Sequence, residues 1–230
     1  MARRSQVISA DQQGRRIARP AGLADEVYNR LRSDIMSLRL PPDARVSVDS
    51  LARELGVSQT PVREALSMLE ADGFVIKRQF AGYGTPPRMD RAQLDNLFEF
   101  RLLVEPHLAM RAAGSITGGA LDRLTEITHT PATSHESFAK LDAEFHGIIA
   151  DQAGNKLIAD SLNRLHIHIH IFRSCFRTEI AQEAIVEHLK IGEAMIAHDG
   201  VAAQLAMKDH IERSYGRLSK FIEEEQLASD

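Results

Sequence analysis

Apolar residues recur every three or four positions along most of the chain, which is the period of an amphipathic helix. The first such stretch covers 23–38, and a second, short one covers 48–55. Gly56 is suited to end the second helix because glycine accepts the left-handed conformation that often follows a helix. Ser58 begins a third helix, in which we expect the serine hydroxyl to cap free backbone N–H groups, and this helix ends near Gly73.

The period changes after the third helix. Residues 74–78 favour a strand, 81–84 favour a turn, and Thr85 begins a short return. Three helices followed by a small β-hairpin are typical of a winged helix-turn-helix, and we predict such a domain over 23–88.

Helical periodicity dominates the second half of the chain, where turn signals separate the predicted helices. Their connections are short, which indicates an antiparallel all-α helical bundle over 89–230. The predicted helices cover 91–113, 118–127, 135–152, 156–176, 179–198 and 200–224. The predicted fold class is therefore mainly α, with a winged helix-turn-helix followed by a bundle.

The net charge of −4 is the sum of two unlike halves. Residues 1–88 hold 14 Lys and Arg against 10 Asp and Glu, whereas residues 89–230 hold 14 against 22. The first half therefore suits a polyanionic partner and the second does not. Within the first half, 1–22 carries five arginines and little apolar content, which indicates a flexible basic arm.

Two classes of protein are excluded by what the chain lacks. No apolar run approaches the roughly 18 residues of a membrane-spanning helix, and the arginines near the N-terminus are not followed by the apolar run of an export signal. We therefore expect a cytoplasmic protein with no membrane partner. The single cysteine, Cys175, excludes an intrachain disulfide, so stability must come from a core.

Polar residues at the start of the third predicted helix carry the first chemical signal. In a helix-turn-helix this part of the second helix of the motif enters the major groove of DNA, where it meets phosphates and base edges. The candidate DNA-contacting residues are Ser58, Gln59, Thr60 and Arg63. The planar fork of Arg63 can grip guanine or a phosphate at two points. The alternative is a structural helix hairpin with a solvated end, but the basic hairpin residues Lys77 and Arg78 favour DNA.

The stretch from Ala24 to Thr85 resembles the DNA-binding domain of the GntR family of bacterial transcription regulators. The resemblance rests on the S-x-T-P-V-R-E-A-L run of Ser58–Leu66, the preceding helix from Leu51, and Leu69–Gly73. It implies a homodimer whose recognition helices read a pseudo-palindromic operator in double-stranded DNA. It also implies that the wing tip at Gly82 and Tyr83 lies near the minor groove.

Two positions depart from the usual pattern of this family. Asp49 and Gln59 stand where many members place arginines, so two cations near the phosphates are missing. Because phosphate neutralisation supplies much of the affinity for DNA, the change should weaken or retune binding. Gln59 could instead read adenine.

All ten histidines lie in the second half, between His107 and His210. Asp142 and His146 are four residues apart and share one face of a helix, although this spacing alone is also typical of a surface hydrogen bond. His188 and His210 lie among apolar neighbours on two further predicted helices, and a bundle can direct such ligands at one ion. One carboxylate and three imidazoles suit a divalent metal ion such as zinc, nickel or manganese.

The second half resembles the ligand-binding domain called FCD, found in the FadR-like branch of the same family, over roughly 92–222. The residues that carry this resemblance are Arg101 with Glu105-Pro106, Asp142 with His146, Gly154-Asn155, Glu187-His188 and His210. It implies that Asp142, His146, His188 and His210 hold a divalent metal. It also implies that a small carboxylate effector completes the coordination and that 89–230 serves effector binding and dimerisation.

Three further residues are candidates to contact the effector. Arg101 could grip its carboxylate as a fork, or it could form an internal ion pair with Glu105, one helical turn away. His170 and Arg173 lie on the helix predicted over 156–176, where His170 could line the pocket as a neutral hydrogen-bonding group.

Two function classes remain. The first is a DNA-binding transcription regulator, which we expect to be a repressor of a metabolic operon that a small carboxylate releases or retunes. The alternative is a metal-dependent hydrolase or lyase fused to a DNA-binding module, because a metal with open positions can activate water. No further general base or nucleophile constellation is recognisable in the sequence, so we predict a regulator and not an enzyme.

Overall fold

The computed structural model describes residues 22–79, 82–132, 134–165 and 178–229. The basic arm predicted over 1–22 lies outside the described residues except for Gly22, and so do His170 and Arg173. An N-terminal domain of three helices and a small sheet is followed by a helical domain, which confirms the predicted fold class. None of the helices in these ranges is long and apolar enough to cross a membrane.

The N-terminal domain follows the predicted order, with one additional strand. Its elements are α1 (Leu23–Met36), β1 (Arg45–Val46), α2 (Val48–Leu55), α3 (Gln59–Ala71), β2 (Ile76–Arg78) and β3 (Gly82–Gly84). Gly56 ends α2 with φ 66°, in the left-handed region, as predicted. Ser58 occupies the N-cap position of α3, but its hydroxyl makes no capping hydrogen bond, so that part of the prediction is wrong.

The core of this domain is formed mainly by the facing sides of α1 and α3. The residues on these two faces that are almost fully buried are Val27, Leu31 and Ile35 on α1 and Val62, Ala65, Leu66 and Leu69 on α3. A hydrogen bond of 2.6 Å from the Tyr28 hydroxyl to Asp72 joins α1 to the end of α3. Burial and this bond raise the pKa of Tyr28 to about 12, so the tyrosine stays protonated and keeps donating.

The sheet is antiparallel and has the strand order β1-β3-β2. Tyr83 of β3 is the central residue of the register, since it lies opposite Val46 of β1 and Lys77 of β2. Strands β2 and β3 form the predicted hairpin, whereas β1 was missed. A strand of two residues shows no recognisable alternation, which explains the omission.

The helical domain consists, in the described ranges, of six helices that pack around one apolar core. They are α4 (Arg91–Ala113), α5 (Gly118–His129), α6 (His135–Gln152), α7 (Lys156–Arg164), α8 (Thr178–Ile196) and α9 (Gly200–Ser229). The helix predicted over 156–176 is described only as far as Arg164. The other predicted helices agree to within a few residues at their ends.

Helices α4 and α9 run antiparallel along each other and form the longest contact of the domain. Nη1 of Arg91, at the start of α4, lies 2.6 Å from Oε1 of Glu223, near the end of α9. The rings of Phe98 and Tyr215 meet in the middle, with centroids 5.5 Å apart. Helix α9 also packs against α8, while α6 packs against α4, α5 and α7. This arrangement brings α4, α6, α8 and α9 together around one point of the core.

The two domains touch through α6. Ala139, on the second turn of α6, is 6% exposed and belongs to the same apolar cluster as the α1 and α3 residues of the N-terminal domain. Helix α6 is therefore shared by the cores of both domains.

Two glycines of α9 give a matched test of the packing of α9 on α4. A methyl group on Gly200 would lie 2.8 Å from the Met110 carbonyl oxygen, whereas nothing lies within 4 Å of one on Gly216. We expect Gly200→Ala to lower the free energy of unfolding by about 1–3 kcal/mol through overpacking. Gly216→Ala should raise it by about 0.5–1 kcal/mol, because alanine is the better helix former. Urea denaturation measures both; equal effects of the two variants would contradict this packing.

Candidate metal centre and nucleic-acid interface

Three histidines from three helices meet inside the helical domain. His146 of α6, His188 of α8 and His210 of α9 are 6%, 3% and 2% exposed, respectively. One ring nitrogen of each lies within 4.8 Å of the others. The ring centroids are 4.7 to 5.3 Å apart. Among the described residues, this is the group that could hold a metal ion.

Asp142 lies one turn before His146 on α6 and faces two of the three rings. Its Oδ1 is 3.4 Å from Nε2 of His188 and 3.9 Å from Nε2 of His146. Two ligand atoms that each lie about 2.1 Å from a tetrahedral zinc ion are about 3.4 Å apart. The four residues predicted from the sequence are therefore brought together, and their donor set of nitrogen and carboxylate oxygen fits a divalent ion.

Phe145 orients one ring of the cluster. It is fully buried, and its ring is stacked on His188 at a centroid distance of 4.2 Å and an angle of 14°. Phe145 also meets His146 edge to face at 5.6 Å. Because Phe145 and His146 are neighbours on α6, the same helix that carries two candidate ligands also holds the ring of the third.

A buried carboxylate lies directly behind His146. Glu105 Oε2 of α4 is 2.6 Å from Nδ1 of His146, and Arg101 Nε donates to Glu105 Oε1 at 2.6 Å. Burial opposes ionisation of Glu105, but Arg101 and His146 outweigh it and hold the pKa of Glu105 well below its usual range. Burial also lowers the pKa of His146 to about 4, against the attraction of Glu105. His146 is therefore neutral at physiological pH, the form that binds metals.

A second carboxylate lies behind His210 in the same way. Glu187 Oε2 of α8 is 2.9 Å from Nδ1 of His210. Two nitrogens of Arg217 on α9 donate to the two oxygens of Glu187 at 2.7 and 2.9 Å. Burial alone would raise the pKa of Glu187. The hydrogen bonds from Arg217 and His210 outweigh burial, so the pKa of Glu187 is lowered to about 2.

Sequence reasoning missed the roles of Glu187 and Arg217. The sequence analysis names Glu187 only as the neighbour of His188, whereas in the structure Glu187 contacts His210 on another helix. A signal was available for Arg217, which lies seven residues after His210 and therefore on the same face of α9.

Of the candidate effector contacts, only Arg101 lies within the described residues. Its guanidinium forms the internal ion pair with Glu105, and the two side chains are 2% and 5% exposed. The other candidate contacts, His170 and Arg173, lie outside the described residues.

The predicted DNA-contacting residues of α3 lie together on the protein surface. Ser58, Gln59, Thr60 and Arg63 are all exposed at the start of the helix. Nη2 of Arg63 donates an exposed hydrogen bond of 3.3 Å to Oε1 of Gln59. Because this bond is weak and open to water, Arg63 can exchange it for a base edge or phosphate.

The wing differs from the prediction at Tyr83. Gly82 is exposed, but Tyr83 is only 9% exposed and packs in the core of the N-terminal domain, where Nζ of Lys77 lies 5.7 Å from its ring centroid. The central strand turns the ring inward, so little of this side chain is left exposed for the predicted DNA contact. Arg78 is also occupied, since it donates to Asp43 and to the Thr85 carbonyl.

Two protein-family models match the chain. The model described as bacterial regulatory proteins of the gntR family matches residues 23–84. The model described as the FCD domain matches residues 96–213, about half of the chain. The two matches coincide with the winged helix-turn-helix and with the helical domain that holds the histidine cluster.

Similar proteins and structures agree with these matches. The chain is 27% identical over 195 residues to the HTH-type transcriptional repressor RspR of Escherichia coli K12, covering 81% of this chain and 85% of RspR. It is 27% identical over 224 residues to the Uxu operon transcriptional regulator of the same strain, covering 84% and 82%. The structure of E. coli McbR/YncC aligns with a TM-score of 0.66 at 21% identity over 86% of this chain and 98% of that one, which shows the shared fold.

Proposed function

Because the chain belongs to the GntR family of transcription regulators and carries an FCD domain, we propose that it is a repressor whose hold on DNA depends on a metal-assisted ligand site. The observation that carries the proposal is the combination, in one chain, of an exposed recognition helix with a buried cluster of three histidines. The matched proteins are regulators, which leaves the hydrolase or lyase alternative without support.

The N-terminal domain is the proposed reader of the operator. Ser58, Gln59, Thr60 and Arg63 contact phosphates and base edges in the major groove, and Gly82 brings the wing to the minor groove. A homodimer would place two such helices on a pseudo-palindromic site. The name of RspR supports a repressor, and that of the Uxu operon regulator supports control of an operon, which we take to be metabolic.

The helical domain is the proposed sensor. Asp142, His146, His188 and His210 would hold one divalent ion, for which zinc suits the donor set best and nickel or manganese also suits it. When bound, such an ion supplies a Lewis-acidic position that attracts a carboxylate oxygen. The chain contributes a buried site and, at His146, a neutral imidazole, since burial lowers the pKa of His146 to about 4.

The charges around the cluster favour an anionic effector. The carboxylates of Glu105 and Glu187 are each neutralised by an arginine. A divalent ion with Asp142 and three neutral imidazoles therefore leaves a net positive centre, to which a small carboxylate is complementary. Direct contact from Arg101 would require breaking a buried ion pair, which is costly. His170 and Arg173 therefore stay as the effector contacts proposed from the sequence.

Helix α6 is the proposed connection between sensor and reader. It carries Asp142 and His146, and Ala139, three residues before Asp142, packs into the core of the N-terminal domain. A shift of α6 when the effector binds would reach α1 directly. Such a shift changes the relative populations of domain arrangements in a dimer and hence its fit to two half-sites.

Replacing Arg63 by alanine tests the DNA interface. The operator is obtained by selecting random-sequence duplexes with the wild-type protein, and we expect two inverted half-sites. Arg63→Ala should weaken binding about 5- to 150-fold, since a bidentate base contact is worth about 1–3 kcal/mol. Arg213→Ala removes the same charge from an exposed position on α9 and should change the affinity less than twofold. Equal affinities of both variants for the selected DNA would contradict the interface.

Elemental analysis tests the metal centre. Protein purified without chelators should contain about one divalent ion per chain, and His188→Ala should lose it. A ligand at 1,000 times its Kd adds about 4 kcal/mol to the free energy of unfolding, so a chelator should lower the melting temperature of the wild type. His107→Ala, at an exposed position on α4, should behave like the wild type. Wild-type protein without metal would overturn this part of the proposal.

Release of the selected operator tests the effector class. The complex is titrated with sugar acids, hydroxy acids and dicarboxylates while fluorescence anisotropy follows the DNA. We expect one compound to weaken binding about 5- to 150-fold, the usual range of allosteric coupling. Its amide analogue, which lacks the carboxylate, is the matched control. Release by the amide, or equal release from metal-free protein, would show that the effector does not bind as a carboxylate at the metal.

A further inference from the structure

Two similar series of hydrogen-bonded side chains support the histidine cluster, and each runs from an arginine through a glutamate to a histidine. In the first, Arg101 and Glu105 of α4 stand behind His146 of α6. In the second, Arg217 of α9 and Glu187 of α8 stand behind His210 of α9. In both series the carboxylate approaches Nδ1 of the imidazole, at 2.6 and 2.9 Å, respectively. We call them the Glu105 relay and the Glu187 relay.

We infer that the two relays are positioning devices that fix His146 and His210 in the tautomer with the proton on Nδ1, so that both bind a metal through Nε2. The inference rests on the proposed metal centre and assigns roles to residues outside the ligand set. Neither Glu105, Glu187, Arg101 nor Arg217 would touch the ion.

The tautomer follows from the chemistry of the partners. An ionised carboxylate can only accept hydrogen bonds, so an imidazole nitrogen that approaches it must carry the proton. Each carboxylate is kept ionised by an arginine that donates to both of its oxygens, in the Glu187 relay at 2.7 and 2.9 Å. With Nδ1 protonated, the lone pair lies on Nε2, on the other side of the ring. For His146 this nitrogen faces Asp142, at 3.9 Å from Oδ1.

His188 is held by a different device. Its Nε2 faces Oδ1 of Asp142 at 3.4 Å, and its ring lies flat against Phe145. Packing of Phe145 therefore sets the plane of this ring, whereas carboxylates set the orientation of the other two.

The two relays differ in their access to solvent. The Arg101–Glu105 pair is almost completely buried, so removing one partner would leave an uncompensated charge in the core. In the Glu187 relay, Arg217 is 14% exposed and also donates at 3.2 Å to Glu183, which is 62% exposed. Glu187 can therefore be altered with less risk to the fold. Glu183 offers a control, because it shares the arginine partner and forms no ion pair with a histidine of the described ranges.

The first experiment reads the tautomers in the wild-type protein without metal. Long-range 1H–15N spectra of protein labelled at histidine distinguish a proton on Nδ1 from one on Nε2. We expect His146 and His210 both to carry it on Nδ1. A proton on Nε2 of both rings, or two protons on each, would overturn the inference whether or not the protein binds metal.

The second experiment compares Glu187→Gln with Glu183→Gln. Zinc affinity is measured by competition with a chromophoric chelator, and we expect a 10- to 100-fold loss for Glu187→Gln, the usual effect of removing an outer partner of a ligand. Glu183→Gln should stay within twofold of the wild type. In the metal-free spectra, His210 of Glu187→Gln should shift towards the tautomer protonated on Nε2, which a merely structural role would not cause.

The outcomes separate this inference from the proposed function. If wild-type protein binds zinc, and Glu187→Gln binds it equally well with an unchanged His210 tautomer, the relay is wrong and the metal centre stands. If wild-type protein binds neither zinc, nickel nor manganese, the proposed metal centre fails, while the tautomer spectra still decide whether the carboxylates fix the rings. Should Glu187→Gln not fold, the wild-type spectra alone carry the test.

Discussion

The burial of charged groups in an apolar bundle is the constraint on which the rest of the candidate site depends. Three histidines and two glutamates lie inside the helical domain, where an unpaired carboxylate would cost several kcal/mol. The structure meets this cost by pairing Glu105 with Arg101 and Glu187 with Arg217. Each pair is close to neutral, so two carboxylates approach the imidazoles without adding net charge to the core. The pKa of His146 is then lowered by burial to about 4, and the ring stays neutral as a ligand must be.

The same constraint makes the site depend on how four helices pack. The paired groups come from α4, α6, α8 and α9, and each relay joins different helices. The antiparallel contact of α4 with α9, fixed by Phe98 on Tyr215 and by the close approach at Gly200, therefore also sets the relative positions of the two relays. A small movement of one helix changes several distances at the centre at once. Such coupled distances suit the proposed sensor better than a set of independent contacts would.

Much of the fold could be predicted because its signals are local. The left-handed residue Gly56 and the spacing of Asp142 and His146 depend only on neighbouring residues, and the helical period needs no knowledge of tertiary structure. What could not be predicted depends on distant partners. Strand β1 has two residues and exists because β3 pairs with it, and the inward direction of Tyr83 follows from the central place of β3 in the sheet. The relay partners of His210 were missed because Glu187 is contributed by another helix, 23 residues earlier in the chain. The sequence left open whether Arg101 pairs with Glu105 or contacts an effector. The ion pair depends on how deeply Glu105 is buried, which the sequence does not show.

Helix α6 connects the two halves of the chain, which are opposite in net charge. The first half carries a net charge of +4, all of it from residues 1–22, and the second half carries a net charge of −8. The contact that α6 makes with the N-terminal domain is apolar. Ala139 is small, almost fully buried and one helical turn from Asp142. Asp142 and His146 therefore lie on the same rigid stretch of helix as the residue that joins the core of the N-terminal domain.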